Sequence, residues 1–183
     1  MTIPIPPVLP PNAPDAAMRS NTAEVGQAFG ELIPFPGLID AGIAGTKALI
    51  KANSKFMKLG YKIKLYDCYR PLDIQKRMWA IVSNPNYVAN PSKGSIHNRG
   101  GAVDITLVDS SGKELNMGTP FDFFGPEASH DYRNFPIEIL ENRALFKKIM
   151  LSAKFQSFDS EWWHYNLKNA KSDPISNFKW KCN

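Results

Sequence analysis

Two short segments, far apart along the chain, constrain its fold more than any other feature. Ser95-Ile96-His97-Asn98-Arg99-Gly100-Gly101-Ala102-Val103-Asp104 offers an imidazole and a carboxylate seven residues apart. Glu161-Trp162-Trp163-His164 offers a second imidazole, with a carboxylate three residues before it. The chain has only three histidines, and two of them stand in these segments. Two His and one Asp make a three-ligand zinc set with a fourth position open to water, as in catalytic rather than structural zinc sites. A fold that uses them must bring both segments to one point.

His97 and Asp104 flank a turn with two glycines, so the chain can fold back and aim both side chains at one ion. Asp104 lies between Val103 and Ile105, and a carboxylate among such neighbours is costly to bury unless it is paired or bound to metal. Alone, either residue reads as a strand-edge Asp or a core His; the second segment turns them into ligands. Glu161 and His164 are three apart and would point to opposite faces of a regular strand. A bend or bulge near the strand start is needed to bring Glu161 round to a water at the metal. Glu161 is then the general base, and Trp162 and Trp163 read as core. The oxyanion needs a positive partner beyond the metal, and Arg70, at a strand-to-helix junction beside Pro71, is the candidate.

Around these segments we expect an α+β domain, a mainly antiparallel sheet with flanking helices. Residues 1–14 hold six prolines, which favour extended backbone, so residues 1–18 read as an N-terminal arm and 19–183 as the domain. A helix is expected over 46–59 with Leu49, Ile50, Phe56 and Met57 on one face. Alternation predicts a strand over 61–66, and Pro71 opens a helix to about residue 83 that carries Leu72, Met78, Trp79 and Ile81. Residues 84–94 read as loop. A β-branched strand spans 102–108, with a turn at 109–112 and a short return over 113–115. Residues 116–135 form a long irregular segment of the kind that is often functional; His130 within it reads as solvated. A helix over 136–153 faces inward with Ile139, Leu140, Leu145, Ile149 and Met150, and strands follow over 155–158 and 162–167.

The charge is mildly basic, +5 with a pI near 9.2, but the lysines are interrupted by apolar residues and read as solvated faces. No nucleic-acid partner is expected. Cys68 and Cys182 lack CxxC spacing and read as free thiols. No stretch reaches bilayer-spanning length, and the N-terminus lacks a secretory signal. The expected location is cytoplasmic, or periplasmic if a leader has been removed.

The motifs resemble the VanX-type D-alanyl-D-alanine dipeptidases, zinc peptidases related to D,D-carboxypeptidases and to the hedgehog signalling domain. The pattern S-x-H-x-x-G-x-A-x-D is met by Ser95, His97, Gly100, Ala102 and Asp104, E-W-W-H-Y by Glu161 to Tyr165, and Y-R-P by Tyr69, Arg70 and Pro71. Met117-Gly118, Phe121-Asp122 and Asn142-Arg143 add to the likeness, which runs from Tyr61 to Leu167. The resemblance implies a hedgehog/D,D-peptidase-like single domain with one Zn2+ per chain on His97, Asp104 and His164. It implies Glu161 as base and Arg70 as the group that stabilises the transition state. It implies Asp122 as the partner of the substrate's ammonium and Ser95 as a polar wall of the pocket, for a small dipeptide substrate, D-Ala-D-Ala. The alternative is a D,D-carboxypeptidase or cell-wall endopeptidase acting on longer stem peptides; a zinc module without catalysis is a more distant reading.

Overall fold

Alternation along one strand separates the core of this protein from its site. In β2 (Ala102–Val108) Ile105 and Leu107 are fully buried in the hydrophobic core. Asp104 and Thr106, out of phase by one residue, belong to the other face of the strand. The computed structural model describes residues 39–179, residue 86 excepted. The expected arm over 1–18 and Cys182 lie outside the described residues.

Among the described residues the sheet has four strands in the order β1-β2-β4-β3, where β1 is Lys62–Asp67, β3 is Phe155–Phe158 and β4 is Glu161–Leu167. Every pairing is antiparallel. The expected return after β2 is a stub, with a Val108↔Glu114 bridge and a Leu115 N–H bond to Leu107 O. Among the described residues three α-helices accompany the sheet: α1 (Ile39–Met57), α2 (Leu72–Ile81) and α3 (Ile137–Ser152). None is long and apolar enough to cross a membrane. The α+β architecture expected from the sequence is the one observed.

The buried face of α1 differs from expectation by one step of rotation. In α1 the buried residues are Ala48, Leu49, Ala52 and Phe56, while Ile50 and Met57 are 53% and 56% exposed. Positions 49, 52 and 56 follow the helical stripe; 50 and 57 each lie one residue, about 100°, round from it. Ile81 on α2 is also exposed, and the residue α2 buries is polar, Gln75. Helix α3 buries Ile139, Phe146, Ile149 and Met150 together with Arg143. Phe146 is a hub: its ring centroid lies 5.9 Å from Phe56, 5.2 Å from Tyr165 and 6.3 Å from Trp162.

Trp162 and Tyr165 are three apart yet both reach Phe146, which a regular strand does not allow. The ladder between β3 and β4 explains this. It pairs Ser157 with Tyr165 and then jumps to Phe158 with Glu161. Trp162, Trp163 and His164 are thereby left over on β4, and the strand bulges where the sequence demanded a bulge.

The irregular segment 116–135 is tied down from beneath by α3. Arg143 donates from Nε to Met117 O at 2.6 Å, from Nη1 to Ser129 O at 2.9 Å and from Nη2 to Glu127 O at 2.9 Å. The Trp162 indole donates to Thr119 Oγ1 at 2.8 Å. His130 departs from its solvated reading: it is only 7% exposed, with its ring 5.9 Å from Tyr165. Burial, then the charges of Lys147 and Arg143, depress its pKa to about 4. The cover comes from tertiary packing that residue types in a loop do not announce.

Candidate active site

Strand register performs the first part of the assembly. Asp104 on β2 lies opposite His164 on β4, which sets His164 Nδ1 2.8 Å from Asp104 Oδ1. The second imidazole arrives on a 3-10 turn, His97–Arg99. Asn98, fully buried, fastens that turn: its Oδ1 accepts from Ser95 N at 2.7 Å and from Ser95 Oγ at 3.0 Å, and its Nδ2 donates to Arg70 O at 2.7 Å. The Arg70 N–H donates to His97 O at 3.1 Å, so the arginine segment and the histidine turn are knitted backbone to backbone. Gly100 closes the turn with φ 68°, a conformation glycine adopts without a Cβ clash. At Gly101 a Cβ would overlap Ala170.

The three ligand candidates converge. His97 Nε2 stands 3.3 Å from His164 Nδ1 and 3.3 Å from Asp104 Oδ2, and one ligand atom from each residue falls within 4.8 Å of the others. A tetrahedral zinc with bonds of about 2.0–2.1 Å has ligand-to-ligand edges of roughly 3.3 Å, so the spacing suits that ion. The outer nitrogens set the tautomers. His97 Nδ1 faces the Cys68 carbonyl oxygen at 2.6 Å and His164 Nε2 faces Asn166 Oδ1 at 2.9 Å. Both partners are acceptors, so the hydrogens sit on these outer atoms and the inner nitrogens present lone pairs. Two imidazole nitrogens and a carboxylate then point at one another, an arrangement that could hold a cation among them. The donor set fits zinc.

The charges follow from the same crowding. Burial works against the Asp104 anion, but the imidazoles of His97 and His164 outweigh it and hold the carboxyl well below the usual range. Burial likewise opposes a charged His164, and Asp104 more than compensates, raising its pKa. Glu161, brought round by the bulge, has its Oε2 3.9 Å from His164 Nδ1. Burial raises its pKa and Asp104 adds to the rise, against the pull of His164, His97 and Arg70. Asp122 has a left-handed backbone, φ 57°. Its neighbour Phe121 stacks on Tyr66 at 4.4 Å and meets Trp163 edge-on at 5.6 Å. Burial first, then Asp104, push the Asp122 carboxyl up to about 7, with Arg70 pulling the other way.

Arg70 is aimed by its neighbours. Its Nε and Nη2 both lie against Asp67 Oδ2, at 2.7 and 2.6 Å, its Nη1 donates to Gln75 Oε1 at 2.9 Å, and Nη2 stands 3.9 Å from Asp104 Oδ2. The site therefore gathers His97, Asp104, His164, Glu161 and Arg70, with Asp122 coupled to them by charge. Ser95 takes up a different position from the rest: its hydroxyl is engaged with Asn98 in the turn that carries His97. Cys68 contributes its carbonyl; burial and the charges of Asp67 and Asp104 push its thiol far up. Asp67, Gln75, Asn98 and Asn166 were not legible as site residues. Asn166 had a signal, since it stands two residues after His164 on the same strand. A buried amide such as Gln75 or Asn98 looks like any surface amide in a sequence.

A family model described as D-ala-D-ala dipeptidase matches residues 13–181. The chain is 38% identical over 136 residues to a D-alanyl-D-alanine dipeptidase of Escherichia coli K12, covering 74% of this chain and 70% of that protein. It is 34% identical to one of Enterococcus faecalis, covering 68% of this chain and 73% of the relative. It is 33% identical to one of Streptomyces coelicolor, covering 74% and 78%.

Proposed function

The chain belongs to the D-ala-D-ala dipeptidase family of metallopeptidases, and from that premise we propose that it hydrolyses D-alanyl-D-alanine using one zinc ion per chain. The observation that carries the reading is the convergence of two imidazole lone pairs and the Asp104 carboxylate beside Glu161 and Arg70. Residues 19–183 form the catalytic domain in this reading, with 1–18 as an arm.

His97, Asp104 and His164 would hold the zinc, which would supply Lewis acidity when bound. Glu161, made more basic by burial, would take a proton from a water as that water attacks the peptide carbonyl, and would deliver the proton to the leaving amine. Arg70 retains one N–H on each terminal nitrogen beyond those used by Asp67 and Gln75, and these face the developing oxyanion. Asp122 receives the substrate's free ammonium, and Ser95 adds a polar wall to the pocket. An anionic group for the amino end and a cation for the reacting end make a gauge for a short zwitterion. A longer peptide would place a neutral amide against Asp122 and leave a buried charge without its partner.

Amino-acid release from D-Ala-D-Ala, from L,L-dipeptides and from a stem pentapeptide, with and without a chelator, tests the reading. Turnover should be confined to the D,D-dipeptide, vanish on chelation and return with zinc. Undiminished turnover after chelation, or a preference for the pentapeptide, would sink it.

A further inference from the structure

We propose that Gln75 is a positioning residue that fixes the plane of the Arg70 guanidinium, an inference that rests on Arg70 acting as proposed above. A guanidinium has five N–H groups. Asp67 takes two of them and Gln75 a third, which leaves two, one on each terminal nitrogen. Asp67 does not fix the direction in which these point. Both its contacts to Arg70 run to a single oxygen, Oδ2, while Oδ1 accepts the Cys68 N–H at 2.7 Å. One oxygen is a pivot, about which the guanidinium can swing, whereas a two-oxygen fork would have locked it. The second fixed point is Gln75 Oε1 at 2.9 Å from Nη1.

Gln75 is itself held rigidly. It is fully buried on a helix whose other positions are exposed or half-buried, and its Nε2 donates to Ala89 O at 2.8 Å. An amide has one acceptor end and one donor end, and here each is used once. The acceptor holds the arginine, and the donor ties it to the loop following α2. That loop in turn meets the segment carrying Asp122, through Tyr87 and Phe124 with ring centroids 4.7 Å apart. Methionine has nearly the same length and volume but neither polar end, so Gln75→Met removes both bonds with little change in packing.

A double-mutant cycle on the zinc-loaded full chain is the test. Gln75→Met should lower kcat for D-Ala-D-Ala roughly 10- to 100-fold, the range for a catalytic group displaced by about an ångström, with KM and zinc content nearly unchanged. In an Arg70→Ala background the same change should lower kcat less than about 2-fold, because Gln75 acts through a group already removed. An equal loss in both backgrounds, or no loss in the parent, overturns the inference. If Arg70→Ala alone keeps the parental rate, the role of Arg70 has failed instead. A second readout needs no turnover and no substitution at Gln75. In the unsubstituted protein the side-chain 15N spectrum should show separate, slowly averaging Nη signals for Arg70, assigned by their loss in Arg70→Ala. Rapid averaging of those signals overturns the inference.

Discussion

In the proposed mechanism Glu161 acts as a carboxylate made more basic by its surroundings. Burial and the Asp104 charge raise its pKa, and a base improves as its pKa approaches the working pH. Glu161→Gln keeps the shape and removes the proton acceptor, so kcat should fall about 10²- to 10⁴-fold. Zinc content should stay near one per chain, because Glu161 is not among the three ligands. Metal analysis beside steady-state rates checks this, and loss of the metal with the activity would reassign the residue. His130 offers a pH test of stability. Its pKa is near 6.5 unfolded and about 4 folded, so the unfolded chain binds the proton first as the pH drops. Stability from this residue is whole above pH 6.5 and declines as the pH falls to about 4, by on the order of 2–3 kcal/mol. Asp122, whose pKa is raised, titrates in the opposite sense over part of that window. The parent must therefore be compared with His130→Phe. Between pH 7 and pH 4.5 the variant should lose about 2 kcal/mol less in urea unfolding; identical losses would show that His130 is not the sensor.

The elements show what residue types can and cannot reveal. The cluster of His97, Asp104 and His164 was readable because few side chains suit a catalytic zinc, and the β4 bulge was readable because Glu161 and His164 otherwise face apart. The stripe on α1 was displaced because Ala48 and Ala52, small enough for close approach, are buried where Ile50 and Met57 are not. Apolar character alone does not say which flank of a helix meets the sheet. The role of Arg143 was also hidden, since an arginine in a helix reads as solvated until three carbonyls are found around it. These are Met117, Glu127 and Ser129, which bracket the segment bearing Asp122. Burial brings the Arg143 pKa down to about 10, still charged at neutral pH. Arg143→Met leaves the three carbonyls without this donor, and with a cost of about 1–3 kcal/mol for each such group, unfolding should become easier by about 3 kcal/mol or more. In the fraction that stays folded, KM should rise more than kcat falls. Arg143→Lys should rescue only part, because an ammonium does not span three carbonyls in a plane. An Arg143→Met protein as stable as the parent would show that the segment is held by other contacts.

Across the molecule, the site joins parts of the chain that are far apart in sequence. Arg70 comes from the β1–α2 junction, His97 from a 3-10 turn, Asp104 from β2, and Glu161 and His164 from β4. The C-terminal segment straps the first two together. Ser176 accepts from Leu72 N at 3.2 Å and donates to Asn98 O at 2.8 Å, and Tyr69 Oη reaches Ser176 Oγ at 3.0 Å. The proposed ligands lie on a 3-10 turn and on β2 and β4, the two central strands, so metal binding would be coupled to folding. Free zinc at about 1,000 times its Kd stabilises the folded state by about 4 kcal/mol. For a domain of this size that is a rise in Tm of about 8–16 °C at 2–4 °C per kcal/mol. His164→Ala removes one ligand and should abolish most of the rise while leaving the metal-free Tm within a few degrees of the parent's. Scanning calorimetry on chelated and zinc-loaded forms of both proteins separates the outcomes. A zinc-induced rise that survives in His164→Ala would place the ion elsewhere and remove the ground for the whole mechanism.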